Sequence, residues 1–124
     1  MKIVQNNIES ILKKNSIIPV VTINDMNEIV PTINFILDKN IRCIEVTLRT
    51  NIAFEAIEFI KKKYGNKICL GVGTVINIEQ INRAIKIGVD FIVSPGISEE
   101  LTRELINSKI PFIPGIATPS DIIL

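Results

Sequence analysis

The sequence predicts an α/β fold of parallel strands closed as a (β/α)8 TIM barrel, and three observations lead there. Five short apolar runs, IIPVVTI (17–23), IRCIEVT (41–47), KICLGVGT (67–74), DFIVSPG (90–96) and IPFIPGIAT (110–118), start 20 to 26 residues apart. Helical patterns fill the gaps between them, so the chain reads as successive βα units on a parallel sheet. Polar residues, Glu45, Thr47, Thr74 and Ser94, gather at the carboxyl ends of the runs, where a barrel builds its site. The competing doubly wound fold would carry a glycine-rich fingerprint in its first βα turn. "GVGTVI" has Gly71 and Gly73 but no third glycine at position 76, and it lies in the third unit, so it is a weak match.

Each element has a local reason. A helix over 3–14 precedes the first strand as a lid or cap. Asp25 with Glu28 makes a capping-box signature for the first crossover helix, and Asn51, Asn77 and Ser98 are placed to cap the next three. Thr118, followed by Pro119 and Asp121, opens a fifth. Apolar residues recur at helical spacing, as in Ile52, Ala56, Ile57, Ile60 and in Ile78, Ile81, Ile85. Gly65 and Gly88 suit helix C-termini, and Pro31 falls inside the first crossover helix, where it is expected to kink it.

Composition narrows the chemistry. With 124 residues, 47% hydrophobic and 22% charged, the chain is ordinary for one folded domain. A net charge of +1 with interspersed signs gives no basic stripe for nucleic acid. There is no apolar segment long enough to span a membrane and no signal-peptide pattern at the N-terminus, so a cytoplasmic protein is expected. The absence of histidine removes Ser-His-Asp, Cys-His and histidine-metal chemistry. Cys43 and Cys69 lie in strand-like runs and read as buried reduced thiols, not a metal site.

That leaves the stretch IEVTLRTN (44–51). Strand alternation puts Cys43, Glu45 and Thr47 on one side and Ile44, Val46 and Leu48 on the other. The all-apolar side must face the helices, so Glu45 points into the barrel mouth, with Arg49 just beyond the strand. Burial would raise the proton affinity of Glu45 and Arg49 would lower it. Two readings stay open: a structural ion pair closing the top of the barrel, or a carboxylate put to chemical use. Thr74 and Ser94 read as loop hydroxyls that cap backbone groups. The Lys61–Lys63 run and Glu9, Glu55 and Glu58 read as solvated helix faces, with Glu58 and Lys62 an exposed pair.

Taken in order and at these intervals, "IIPVV", "IEVTLRT", "VGTV", "IVSPGIS" and "IPFIPGIATPSD" closely resemble the 2-keto-3-deoxy-6-phosphogluconate (KDPG) and 4-hydroxy-2-oxoglutarate aldolases, from about residue 8 onward. The resemblance implies a class I aldolase on the barrel, a homotrimer needing neither metal nor cofactor. Its substrate would be a small 2-keto acid: KDPG, cleaved to pyruvate and glyceraldehyde 3-phosphate in the Entner-Doudoroff pathway, or 4-hydroxy-2-oxoglutarate, cleaved to pyruvate and glyoxylate. The reaction would pass through a lysine Schiff base. The resemblance further implies that Glu45 transfers protons, Arg49 and the Thr74 hydroxyl bind the pyruvate carboxylate, and Pro95 lines the pocket.

The sequence departs from the family in one respect. The family's Schiff-base lysine lies on the sixth strand and its phosphate-binding glycine loops follow the seventh and eighth, whereas this sequence reaches Leu124, in the fifth helix. Residues 1–124 are therefore expected to form one partial domain, the first five βα units, with no Schiff-base lysine and no activity by themselves. The alternative is a non-catalytic half-barrel that self-associates or pairs with another chain, its inner face lined by residues such as Val20, Cys43 and Val72.

Overall fold

The computed structural model describes residues 2–124, with side chains from Ile8 onward. Helix α1 (Lys2–Lys14) leads into β1 (Val20–Val21), a 3-10 turn at Met26–Glu28, α2 (Ile29–Asp38), β2 (Cys43–Thr47) and α3 (Ala53–Tyr64). Then follow β3 (Cys69–Gly73), α4 (Ile78–Ile87), β4 (Phe91–Ser94), α5 (Glu99–Ser108), β5 (Phe112–Pro114) and α6 (Pro119–Ile123). Every strand pairs in parallel with the next one in sequence, in the order β1-β2-β3-β4-β5. A doubly wound sheet reverses its strand order at a switch point; this one winds in a single direction, as a barrel does.

The core lies between the sheet and the helices. Ile44 and Val46 of β2 and Leu70 and Val72 of β3 are fully buried there against Ile33, Ile57, Ile60 and Ile81. Val72, expected on the inner face, is thus a helix-side residue: it pairs with Val46, not with Thr47. The opposite, inner face carries Val20, Cys43, Glu45, Cys69, Gly71 and Phe91, as the register pairs Val20↔Glu45, Cys43↔Cys69 and Gly71↔Phe91 require.

Local punctuation follows the sequence with three corrections. Asn77, Ser98 and Thr118 cap α4, α5 and α6 through their side chains, and Thr118 forms a reciprocal capping box with Asp121. Asn51 does not cap α3, whose preceding residue is Ile52 with no side-chain bond; the Thr50 hydroxyl instead donates to Ile23 O at 2.7 Å and ties the loop to β1. Asp25 caps the 3-10 turn, and that turn places Pro31 in the first turn of α2 rather than its interior. There a missing N–H costs no intrahelical bond. Gly88 adopts the left-handed C-cap (φ 76), but Gly65 is right-handed (φ −61).

The amino end of the sheet is tied by a charge absent from the sequence reading. Asp90 accepts the Leu70 N–H at 2.8 Å and the Lys61 ammonium at 3.0 and 3.1 Å, joining α3, β3 and the start of β4. Lys61 is therefore not a solvated helix-face residue, and the Glu58–Lys62 pair is not among the ion pairs of the described residues, which are Lys13–Glu9, Lys61–Asp90 and Arg103–Glu99. No helix among the described residues is long and apolar enough to cross a membrane.

Two outcomes follow from this architecture. Asp90→Ala strands the Leu70 N–H and Lys61 together, so denaturant unfolding should show a loss of about 1 to 3 kcal/mol; an unchanged midpoint would remove Asp90 from this role. Because β1 and β5 each lack a second strand partner and Val20 is 58% exposed, the 124-residue chain by itself should self-associate, which sedimentation velocity measures directly; a monodisperse monomer would contradict it.

Candidate active site

The polar residues converge at the carboxyl end of the sheet. Glu45 stands on the inner face of β2 between β1 and β3, paired with Val20 on one side and Gly71 on the other. Its side chain leans toward the strand's carboxyl end and lies over Gly73: a Cβ built on Gly73 would overlap Oε1 and sit 2.6 Å from Cδ. The carboxylate is half-buried. Burial pushes its proton affinity above the usual carboxylate range, and the Arg49 charge pulls it partly back. Among the described residues no cation lies within salt-bridge distance of Glu45, so the structural ion pair is not formed. Arg49 is exposed just beyond the strand, with its donors uncommitted to any carboxylate of the described residues.

The hydroxyls divide into two kinds. Thr74 takes φ 63, the left-handed region, immediately after Gly73. A β-branched side chain is a genuine outlier there, at a cost of order 1–3 kcal/mol, and such strain concentrates at functional sites. Ser94 donates to Gly96 O at 2.8 Å and is buried, which is the backbone-capping role expected of it. Pro95, exposed beyond β4, brings its carbonyl against Gly115 at the end of β5, so it borders the mouth from the far side of the sheet.

Phe91 and the role of Gly73 escaped the sequence reading, and Thr47, seen there only as a strand-end polar residue, gains a partner. Thr47 is wholly buried, its hydroxyl 2.9 Å from that of Thr22, which fixes the ends of β1 and β2 at the mouth. Phe91 is 1% exposed although it belongs to the inner face, because its ring occupies the space a side chain on Gly71 would take. Gly73 leaves equivalent room for Glu45. Period-2 alternation, continued from β2 into "CLGVG", carries the signal for the last two, once the strands are in register.

Among the described residues no lysine lies at this mouth. Lys67 and Lys109 precede β3 and β5, at the opposite end. There a cleft of about 550 Å³ is lined by Ser10 and Ile11 of α1 with Cys69, Asp90, Lys109 and Pro111, so α1 lies against the amino end of the sheet. Cys43 is buried opposite Cys69; its hydrogen bond to Cys69 and its burial raise its pKa and hold it as a thiol. No group of three or more metal-ligating side chains exists among the described residues.

A family model described as KDPG and KHG aldolase matches residues 8–124. The chain belongs to this family. It is 38% identical over 111 residues to the 2-dehydro-3-deoxy-phosphogluconate aldolase of Treponema pallidum, covering 90% of this chain and 52% of that protein. It is 36% identical over its full length to the KHG/KDPG aldolase of Escherichia coli K12, of which it covers 58%. Among solved structures, the KDPG aldolase of Zymomonas mobilis ZM4 with 3-phosphoglycerate superposes with a TM-score of 0.85 at 32% identity, covering 94% of this chain and 55% of the other. That of Legionella pneumophila, with pyruvate captured as a covalent carbinolamine, gives 0.81 at 34% identity, with 86% and 51% covered. The fold is therefore that of the aldolase barrel, and the chain spans about half the length of the curated relatives it matches.

The electrostatics of Glu45 set a pH-dependent outcome. A carboxyl whose folded pKa is raised favours the folded state while protonated, and that contribution is lost as pH rises through the folded value. Glu45→Gln should therefore unfold at higher denaturant than the parent at neutral pH. The difference should shrink as pH falls and vanish below the unfolded carboxylate value of about 4.3. A gain that persists at pH 3, or none at pH 7, would contradict the desolvated carboxylate.

Proposed function

We propose that these residues form the acid–base and carboxylate-binding half of a class I aldolase site that acts on KDPG, on 4-hydroxy-2-oxoglutarate, or on both. One observation carries the reading: a half-buried carboxylate of raised proton affinity, free of any ion pair among the described residues, leans over Gly73 toward the carboxyl end of β2 and feels the charge of Arg49. An iminium at the substrate's ketone carbon is an electron sink. Glu45 takes the C4 hydroxyl proton as the C3–C4 bond breaks, the bonding electrons pass into the enamine, and the aldehyde leaves. Glu45 then returns a proton to the enamine carbon, giving the methyl group of pyruvate. Burial suits this exchange by bringing the carboxyl's pKa nearer neutrality.

Arg49 presents a planar fork that grips the pyruvate carboxylate and fixes its orientation. Thr74, held in a strained conformation, turns its hydroxyl to the same group, and Pro95 walls the pocket. The amine belongs to the part of the barrel that these residues do not build. The captured carbinolamine of the Legionella relative supports covalent chemistry on pyruvate. A homotrimer in the cytoplasm, serving the Entner-Doudoroff pathway without metal or cofactor, completes the proposal, with residues 1–124 as one partial domain. The second reading, a non-catalytic half-barrel that pairs with another chain, is favoured by the unpaired edges of β1 and β5.

Extending the chain with the remaining half of its Escherichia coli relative separates these readings. The completed barrel should trap pyruvate with borohydride and exchange the pyruvate methyl protons with deuterium. Glu45→Gln should keep the trapping and slow the exchange by about 10² to 10⁴-fold. Arg49→Ala should weaken pyruvate binding by about 1.5 to 3 kcal/mol. The 124 residues alone should take no label, since an exposed lysine with a pKa of about 10.4 is protonated and unreactive near pH 7. Exchange unaffected by Glu45→Gln would dismiss Glu45, and specific labelling of one lysine in the short chain would relocate the nucleophile.

A further inference from the structure

We propose that Gly73 is a positioning residue for Glu45: its missing side chain is the seat that holds the carboxylate at the mouth of the barrel. The inference rests on the reading of Glu45 as the proton carrier and adds the element that aims it.

The argument starts from what a glycine in the middle of a sheet lacks. It offers nothing to pack and loses more conformational freedom than other residues on folding, so it marks a place where something must come close. At Gly73 the backbone does not require glycine, because its φ lies outside the left-handed region, in contrast to Gly88. Space is the only remaining reason. A Cβ there would overlap Oε1 of Glu45 and lie 2.6 Å from Cδ and 2.9 Å from Cγ, and all three of its nearest neighbours are atoms of that one side chain.

The direction of the lean matters. Glu45 is paired with Gly71, yet its carboxylate lies over Gly73, one inner-face position nearer the carboxyl end. Over Gly71 the space is taken by the Phe91 ring. With that space filled, a side chain at 73 is expected to turn the flexible end of Glu45 out of its seat and toward water. Thr74, with its left-handed backbone, is the next residue in the chain.

Three measurements test this. In the 124-residue chain with 13C-labelled glutamate, the Glu45 carboxyl should titrate above the ordinary range, and Gly73→Ala should return it toward about 4.3 as the group enters water; a titration that does not move overturns the proposal. Hydrogen exchange by mass spectrometry reads the β3 amides in whatever oligomeric state the chain occupies. Gly73→Ala should lower their protection, and the loss should disappear in the Glu45→Ala background, where the methyl group has room, but persist with Glu45→Gln. Equal losses in all three backgrounds would show that Gly73 serves the strand alone. In the completed barrel Gly73→Ala should slow pyruvate methyl exchange at saturation by at least tenfold while the half-saturating pyruvate concentration changes less than threefold. If Glu45→Gln slows exchange and Gly73→Ala does not, positioning falls and the function stands. If Glu45→Gln itself has no effect, the catalytic claim falls, and the titration and the exchange cycle identify the function, not the geometry, as what failed.

Discussion

The register between β2 and β3 is the constraint on which the rest of this structure depends. Five consecutive pairs, from Cys43↔Cys69 to Thr47↔Gly73, send Ile44, Val46, Leu70 and Val72 into the helix-side core and Glu45, Gly71 and Gly73 to the inner face. Because side chains alternate, a slip of one residue would exchange the two sets. It would bury an ionisable carboxylate among isoleucines and turn the core's apolar groups toward the cavity, each change costly alone. The fully buried isoleucines therefore do more than stabilise the sheet: they specify which way Glu45 points.

The two ends of the sheet show a division of labour that follows from this. At the amino end, groups are satisfied: Asp90 holds Leu70 and Lys61, and α1 lies against the strand starts. At the carboxyl end, groups are left wanting. Glu45 carries a desolvation penalty with no ion-pair partner among the described residues, Thr74 carries backbone strain, and Arg49 extends into solvent. Such costs concentrate at functional sites.

Membership in the KDPG and KHG aldolase family and superposition on its barrels place this geometry in a larger frame. The chain matches about half the length of those relatives, and the half it matches carries Glu45, Arg49 and Thr74 near one end of its sheet. The five strands wind in one direction without closing. The inner face accordingly has no opposite wall among these residues, and Val20 and the edges of β1 and β5 are left accessible.

The sequence by itself determined the parallel α/β class, the strand positions and most helix caps, since these depend on periodicity and on side chains close in the chain, as with Asn77, Ser98 and Thr118. It also placed Glu45, Arg49, Thr74 and Pro95 at strand ends, and the motif EVTLRT carried the family. Distance in sequence limited the rest. That Asp90 binds Lys61, that Thr22 meets Thr47, and that Val72 faces the helices depend on strand register, which no single run encodes. The open choice at Glu45, ion pair or free carboxylate, was decided only by where Arg49 comes to lie, beyond salt-bridge reach. The glycines of "GVG" were legible as a weak nucleotide motif and, through Gly73, as part of the family's "VGTV", but neither reading said what their missing side chains admit. Tertiary structure gave them their meaning, because the value of a missing side chain lies in the neighbours that occupy its space, here Phe91 from β4 and Glu45 from β2.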